Sequence, residues 1–174
     1  MRASRDKAYM VADQRFAAGR PDVLCFTTEP LAGDVTFAGG IRAVLQAAIS
    51  TTDADFVVKL IDVWPDNTEY PGYQMLVRGD IMRGRYRRSF SAPEPFTPGE
   101  PTEVAFTMPD IAHTFRKGHR IMVQVQSSWF PLADRNPQQF VDIYRCAASD
   151  FIPCDVRIYH DRRRPSRLEV LRLR

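Results

Sequence analysis

The histidines are the residues of this chain best suited to metal or acid–base chemistry, and they form no recognisable site. There are three, at positions 113, 119 and 160. His113 and His119 are separated by a segment that ends in Gly118, so they do not share a helical face. No Asp or Glu cluster has a spacing that would complete a metal site with them, and the sequence contains no C-x-x-C motif. We therefore expect no metal and no cofactor, and interpret the histidines as hydrogen-bonded surface or cap residues.

The sequence offers no activated nucleophile. A serine hydrolase of the α/β type needs a G-x-S-x-G turn between a strand and a helix, and the chain has none. Ser127 and Ser128 lie beside Trp129 without flanking glycines, so we interpret them as strand-end hydroxyls that bond to the loop backbone. Lys59 and Asp62 would point to opposite faces of one strand, and we expect each to be paired separately with arginines or backbone groups. The sequence thus predicts no catalytic residue.

The net charge of +3 is unevenly distributed along the chain. Residues 162–174 contain six arginines and one acid, so the rest of the chain carries a net charge of −2. The basic character therefore belongs to a tail rather than to a DNA-binding face. No apolar run approaches the roughly 20 residues of a membrane span, and no apolar segment follows the N-terminus, so neither a membrane span nor a signal peptide is expected.

A second basic feature is the alternation of Arg83, Arg85 and Arg87, which would share one face of an extended strand. With Tyr86 and Phe90 nearby, a nucleic-acid patch is one interpretation. The favoured interpretation is an edge strand whose arginines are solvated or paired with carboxylates. We therefore expect no nucleic-acid partner.

The cysteines number three, which is an odd and sparse set. Cys146 and Cys154 flank a loop and could pair, whereas Cys25 would then stay free. The spacing leaves both states of Cys146 and Cys154 open.

Residues 55–67 form the segment around which the predicted fold is arranged. A strand of about nine residues is expected here, ended by the turn residues Pro65, Asp66 and Asn67. Its apolar residues occupy both faces under a period of two, which predicts a central strand covered on both sides. Leu60 and its neighbours should therefore lie in the core. The predicted core residues are Phe56, Val58, Leu60, Val104, Phe106, Ile121, Val123 and Val125.

Short alternating segments predict roughly eight to ten strands in all. They cover residues 23–26, 34–37 (ended by glycines 39 and 40), 41–50, 73–82 continued through 88, 102–108, 120–128, 156–160 and 168–173. One short helix is predicted at residues 109–115, with Gly118 as its stop signal. Residues 1–19 are expected to form an irregular lead-in with a short helical turn, and residues 20–174 a single all-β domain. Two packed antiparallel sheets, in a jelly roll or a similar sandwich, are the expected architecture.

Residues 129–137 are predicted to form a loop that carries Trp129 and Phe130. With Asp134, Arg135 and Asn136 they could form a docking or pocket surface, or an aromatic platform for a sugar. In the alternative, the two aromatic residues cap the open end of the sandwich. The favoured prediction is a surface position.

Several stretches of this chain, in the same order, resemble one enzyme family. They are residues 20–31 (RPDVLCFTTEPL), 53–66 (DADFVVKLIDVWPD), 117–121 (KGHRI), 126–131 (QSSWFP) and 135–137 (RNP). The family is that of the X-prolyl dipeptidyl aminopeptidases, cocaine esterase, the α-amino-acid ester hydrolases and the glutaryl cephalosporin acylase-like enzymes, and the similarity is to their C-terminal domain.

The resemblance implies a galactose-binding-like jelly roll that accompanies an α/β-hydrolase domain holding the Ser-His-Asp triad. No triad position maps onto this chain, so it is expected to be inactive alone and to dock on a catalytic domain, helping to shape the substrate pocket. Self-association through the docking face is a further expectation. The alternatives are a free-standing carbohydrate-binding module, and a protein-interaction module that uses the basic tail.

Overall fold

The chain folds into a sandwich of antiparallel β-sheets. This computed structural model describes residue 8 and residues 11–173. Within these residues the regular elements, in chain order, are α1 (Arg15–Ala18), β1 (Val23–Thr27), β2 (Val35–Ile49), β3 (Asp55–Val63), β4 (Gln74–Arg83), β5 (Thr102–Phe115), β6 (Arg120–Gln126), β7 (Val156–Tyr159) and β8 (Arg167–Arg172), with two 3₁₀ turns at Gly84–Tyr86 and Ala148–Asp150. The prediction of an all-β protein with one short helix is confirmed, but the helix is not where it was predicted.

The strands form two four-stranded sheets. The front sheet has the order β1-β6-β3-β4. The back sheet has the order β5-β2-β7, and β8 pairs with the first part of β2 on the same side as β7. All pairs are antiparallel. The sandwich is confirmed in this form, and the finer description as a jelly roll stays a prediction.

Strand β3 is central in the front sheet, as its sequence predicts. Phe56, Val58 and Leu60 point inward into the core and are fully buried. Val57 and Ile61 point outward and are also fully buried, because other parts of the chain cover that face. The remaining predicted core residues are buried (Val104, Phe106, Val125) or partly buried against the core (Ile121, Val123).

The sequence predicts that the glycine pair at positions 39 and 40 ends a strand, but in the structure the pair lies inside β2. Gly39 has a φ of +99°, which side-chain-bearing residues rarely adopt. The pairing of β2 with β5 changes register between Gly39 and Ile41. Opposite Gly40, strand β5 contributes both Pro109 and Asp110, which is a β-bulge. The two short strands predicted here are therefore one long strand with a bulge.

The helix predicted at residues 109–115 is wrong, because this segment is the second half of β5. Proline is tolerated on an edge strand at a bulge, and Pro109 lies at the bulge of β5, which is an edge strand. Ile111 and Phe115 are buried while Ala112 and Thr114 are exposed, which is the period of a strand. Pairing with β2 outweighs the weak helix propensity of so short a segment.

Strand β4 ends at Arg83 and does not continue through residue 88. The Gly84 N–H donates a hydrogen bond to the Ala54 carbonyl at 2.8 Å. A Cβ atom on residue 84 would lie 2.5 Å from that oxygen, so only glycine permits the approach. The 3₁₀ turn that follows directs Arg85 into the interior.

The lead-in packs on the front sheet. The Gln14 N–H donates to the Gln74 carbonyl of β4 at 2.9 Å, and Ala17 of α1 is buried. The predicted short helical turn is therefore α1. Apart from residue 8, the predicted lead-in before residue 11 lies outside the described residues.

Candidate docking surface

The residues predicted to form a docking surface all lie in the 127–155 loop, which connects β6 to β7. A 3₁₀ turn at Ala148–Asp150 is its regular part. A loop without a hydrogen-bonded ladder must satisfy its backbone polar groups by other means. In this chain, buried side chains from elsewhere in the fold supply much of that support.

Two buried carboxylates hold the loop to the front sheet. Asp53 precedes β3 and Asp55 begins it. Asp53 accepts hydrogen bonds from the backbone N–H and the Nε of Arg85, at 3.1 and 2.8 Å. Asp55 accepts from Nε and Nη2 of Arg83, at 3.3 and 3.4 Å. Each buried acid therefore has an arginine, as a charge in the interior requires.

Asn136 joins both carboxylates to the loop. Its Nδ2 donates to Asp53 Oδ2 at 3.0 Å and to Asp55 Oδ1 at 2.8 Å. Its Oδ1 accepts from the N–H of Gln138 at 2.8 Å. The Asn136 residue is 5% exposed, so the prediction that it belongs to an exposed surface is wrong. An amide suits this position because it donates to the acids and accepts from the backbone.

The arginines continue from the carboxylates into the loop. Arg85 donates from Nη1 to the Val141 carbonyl at 2.8 Å and from Nη2 to the Gln139 carbonyl at 3.4 Å. Arg83 donates from Nη2 to the Asp134 carbonyl at 3.2 Å. The two arginines thus fasten the loop by its main chain at three carbonyls, in addition to the hydrogen bonds of Asn136.

The environment of Asp55 shows the opposing forces in this cluster. Burial raises the pKa of its carboxyl above 3.8, and the neighbouring charge of Asp53 acts in the same direction. The hydrogen bond from Asn136, and the charge and hydrogen bond of Arg83, lower that pKa, but the net change is upward. The two donors, Asn136 and Arg83, therefore offset part of the cost of burying the Asp55 carboxylate.

Trp129 lies in the interior and not at the predicted surface position. It is 6% exposed, and its ring packs so close to Gly79 that a Cβ atom there would lie 2.5 Å from the ring. The ring centroid is 5.3 Å from Nζ of Lys59. Trp129 therefore covers the outer face of the front sheet and cannot serve as an exposed sugar platform. Phe130, the next residue, is 53% exposed, as predicted.

Lys59 is buried beneath Trp129, with 1% of the residue exposed. Its Nζ donates to Gln14 Oε1 at 3.0 Å and lies 5.6 Å from the ring centroid of Phe16. Burial lowers the pKa of Lys59 from 10.5 to about 8, and the positive charge of Arg20 acts in the same direction. The expected arginine or backbone partner is replaced by a neutral amide.

The outer side of the loop presents large apolar side chains to solvent. Tyr144 and Phe130 are the most exposed of them. Asp134 and Arg135 are also exposed, and the guanidinium of Arg135 lies 5.0 Å from the ring centroid of Phe151. The other large apolar residues of the loop that are exposed are Leu132, Phe140, Phe151 and Ile152. Of the predicted surface residues, Phe130, Asp134 and Arg135 are therefore accessible, and Trp129 and Asn136 are anchors.

The histidines near β3 form a cluster that sequence reasoning missed. Asp62 Oδ2 bonds to His113 Nε2 at 2.9 Å, and its Oδ1 bonds to His119 Nδ1 at 2.8 Å. This carboxylate ties the two sheets together at one end of the sandwich. Within the described residues, no group of three or more ligating side chains could hold a metal ion. Ser127 and Ser128 have no histidine partner among the described hydrogen bonds, so the part of the chain shown offers no nucleophile–base pair.

The other polar features of the sequence also have structural roles. Arg87 pairs with Glu94 at 3.3 Å, so Arg83, Arg85 and Arg87 are all paired with carboxylates, as the favoured interpretation predicted. Cys146 and Cys154 are free thiols and do not pair. No helix of the described chain is long and apolar enough to cross a membrane.

Comparison with known proteins identifies the family. Residues 3–169 match the X-Pro dipeptidyl-peptidase C-terminal non-catalytic domain. The chain belongs to this family. The family resemblance noted in the sequence is therefore confirmed, and the non-catalytic character of the domain agrees with the absence of a nucleophile–base pair in the residues described.

Relatives of this X-Pro dipeptidyl-peptidase C-terminal domain are much longer proteins. Cocaine esterase from Rhodococcus sp. (strain MB1 Bresler) is 44% identical over 125 residues, which are 72% of this chain and 21% of the esterase. An aminopeptidase from a marine sediment Thaumarchaeota archaeon superimposes with a TM-score of 0.93 at 44% identity, over 95% of this chain and 28% of that protein. An α-amino acid ester hydrolase gives a TM-score of 0.90 at 47% identity, over 93% of this chain and 27% of the hydrolase. The chain thus spans about a quarter of the relatives that it matches.

Proposed function

We propose that this chain is an accessory domain of a serine hydrolase and packs on its α/β-hydrolase catalytic domain through the exposed side of the 127–155 loop. In that position it would help to shape the substrate pocket, while the partner carries the triad and performs acyl transfer. The names and lengths of the relatives support this proposal, because they are hydrolases of which the matching part is a minor fraction.

The combination of internal anchoring and exposed apolar side chains in the 127–155 loop is the reason for choosing this surface. The 127–155 loop is anchored from inside by Asn136, Arg83 and Arg85, and yet it exposes large apolar side chains outside. An apolar patch on a soluble domain usually marks an interaction site. A loop that is already ordered loses little conformational freedom on binding, so more of its contact energy appears as affinity.

The exposed residues of the loop fall into two groups, which would contribute differently to docking. Phe130 and Tyr144 are aromatic, and aromatic residues dominate the binding energy of protein interfaces. Asp134 and Arg135 are exposed charges, which contribute little to affinity but favour one orientation of the partner. We therefore expect substitution of the aromatic pair to weaken docking more than substitution of the charged pair.

The proposal can be tested by placing this chain in the α-amino acid ester hydrolase, in exchange for the part that it matches at 47% identity. A Phe130→Ser, Tyr144→Ser variant removes the two exposed aromatic side chains. A Phe90→Ser, Leu171→Ser variant is the matched control, because both residues are strongly exposed apolar residues outside the loop. Differential scanning calorimetry and ester hydrolysis are measured on both.

We expect the control to unfold in one cooperative transition and to retain activity, and the loop variant to show separate transitions of the two domains. The isolated variants should unfold at similar temperatures, since neither pair is in the core. Equal behaviour of the two variants in the hybrid enzyme would refute docking through the loop. Self-association of the isolated chain, measured by sedimentation, should be lost in the loop variant if the same surface mediates it.

A further inference from the structure

The lead-in crosses the outer face of the front sheet as a short strap, which we define as residues 11–19. The Gln14 N–H donates to the Gln74 carbonyl of β4, and the Asp13 carboxylate accepts from the Gln74 N–H at 3.2 Å. The Gln14 side chain reaches β3, where its Oε1 accepts from Lys59 Nζ at 3.0 Å. The strap therefore lies directly above Lys59.

Little apolar surface holds the strap on the sheet. Gln14 and Ala17 are its only buried residues, whereas Val11 is 68% and Phe16 56% exposed. Its helix α1 has four residues and no side-chain cap, so it contributes little stability of its own. Segments with few buried apolar contacts open locally at a much lower free energy than the core does.

Other hydrogen bonds of the strap to the fold are open to solvent. The Tyr73 hydroxyl donates to the Val11 carbonyl, and Arg15 donates from Nη1 to the Pro71 carbonyl at 3.3 Å. Water can replace both bonds when the strap moves away. The strap also contributes no strand to either sheet, so the sandwich stays intact when it opens.

The group beneath the strap is a buried charge. Lys59 is 1% exposed, and its ammonium lies between the rings of Phe16 and Trp129, with centroids at 5.6 and 5.3 Å. Its hydrogen-bond acceptor is the neutral amide of Gln14, and no carboxylate pairs with it among the described residues. An ammonium has three donors and favours water or a negative partner. The closed strap therefore keeps water from a charge that is only partly compensated.

The neighbouring groups do not supply the missing negative charge. Arg20, directly after the strap, is positive and opposes the charge of Lys59. Asp22 is bonded to Arg20 at 2.8 Å, and Asp13 is bonded to Arg15 at 2.6 Å. The groups that face Lys59 from β1, β6, β4 and the 127–155 loop are uncharged at neutral pH, and they are Cys25, Gln124, Gly79 and Trp129.

We propose that the strap opens and closes over Lys59 as a proton-linked device, in which a charged Lys59 favours the open strap and a neutral Lys59 favours the closed one. The direction follows from burial, because removal of water disfavours the charged form of an amine. In the open state the ammonium reaches water and the outer side of Trp129 is uncovered. Proton release from Lys59 thus fixes the lead-in on the front sheet.

The test measures how strongly the Gln14 N–H is protected from hydrogen exchange between pH 7.5 and 9.5. This N–H is bonded to β4 only while the strap is closed. All chains carry Cys25→Ala, because burial raises the pKa of that thiol from 9.0 and its deprotonation would act in the opposite direction. The range ends below the ionisation of Tyr73, whose pKa burial raises above 10.0.

The protection factor of the Gln14 N–H should rise about twentyfold across this range, since the pKa of Lys59 is about 8 under the closed strap and returns to 10.5 in water. The Arg164 N–H, bonded to the Asp161 carbonyl in the exposed turn between β7 and β8, should keep a constant protection factor. Lys59→Met should abolish the rise at Gln14, whatever the absolute protection. Lys117→Met, which removes an exposed lysine, should retain it.

Two results would overturn the proposal. One is a protection factor at Gln14 that does not change with pH, or that changes equally at Arg164. The other is protection of Gln14 as strong as that of the Leu60 N–H in β3, because Gln14 would then exchange only through global unfolding. Both comparisons are made without a substitution at Lys59, so they decide the question even if Lys59→Met fails to fold.

Discussion

Replacement of Lys59 by methionine tests whether a buried ammonium group is held at a cost to folding. The side chain is buried against the rings of Trp129 and Phe16, and its hydrogen-bond acceptor is the neutral oxygen of Gln14. Methionine has a similar length and fills the same space without a charge. The substitution therefore removes a titrating group and leaves the packing nearly intact.

The magnitude follows from the pKa of Lys59, which burial lowers from 10.5 to about 8. This difference corresponds to about 3 kcal/mol between the two protonation states. Because the unfolded chain binds the proton more tightly, the free energy of unfolding rises with pH between about 8 and 10.5. At neutral pH, Lys59→Met removes the cost of burying the ammonium charge. It also leaves the Gln14 oxygen without a donor, which costs about 1–3 kcal/mol and offsets that gain.

The measurement is denaturant unfolding from pH 7.5 to 10, compared between the parent and Lys59→Met. The parent should gain about 2 kcal/mol more stability than the variant across this range. Lys117→Met, which removes an exposed lysine, should follow the parent. All proteins should carry Cys25→Ala, because burial raises the pKa of that thiol from 9.0 and its titration has the opposite effect. Parallel pH profiles of the parent and Lys59→Met would refute the reasoning.

Three further results are expected. Leu60→Ala should lower the free energy of unfolding by about 2–5 kcal/mol in denaturant titrations, since the side chain is fully buried, and a loss below about 1 kcal/mol would contradict its central position. Asn136→Ala should cost about 2–4 kcal/mol by the same method, because two buried carboxylates lose a donor. It should also raise the pKa of Asp55 further, so that the free energy of unfolding falls more steeply as pH rises above about 4. The same pH dependence of unfolding in the parent and in Asn136→Ala over this range would contradict this. The isolated chain should not hydrolyse a p-nitrophenyl ester, and steady turnover that disappears in Ser127→Ala or Ser128→Ala would show a nucleophile.

Period-two alternation of apolar residues was a sufficient guide to the sheets. It placed β3 at the centre of the front sheet and correctly assigned the ambiguous segment in β2 as strand. The prediction of a helix at residues 109–115 is wrong because it disregards this alternation, although Ile111 and Phe115 lie on one face of a strand. A proline can stand in the first turn of a helix or at a bulge of an edge strand. At Pro109 the outcome depends on the partner strand β2, which is distant in sequence.

The site was less predictable because its contacts are long-range. Asn136 bonds to Asp53 and Asp55 across more than 80 residues, so nothing near it in the sequence shows that it is an anchor. Asp62 likewise finds its two histidines 51 and 57 residues away. Buried polar residues in a strand do indicate that partners exist, but only the three-dimensional arrangement shows which ones.

The anchoring of the 127–155 loop has a consequence for how the domain can diversify. Three of its fastenings are main-chain carbonyls, those of Asp134, Gln139 and Val141, and every residue type supplies the same carbonyl. The path of the loop is therefore insensitive to most substitutions in it, provided that Arg83, Arg85 and Asn136 remain. Descendants of one ancestral domain can keep the loop path while exchanging the side chains displayed on it. Engineers could likewise redesign its outer face to fit a different enzyme without redesigning the fold.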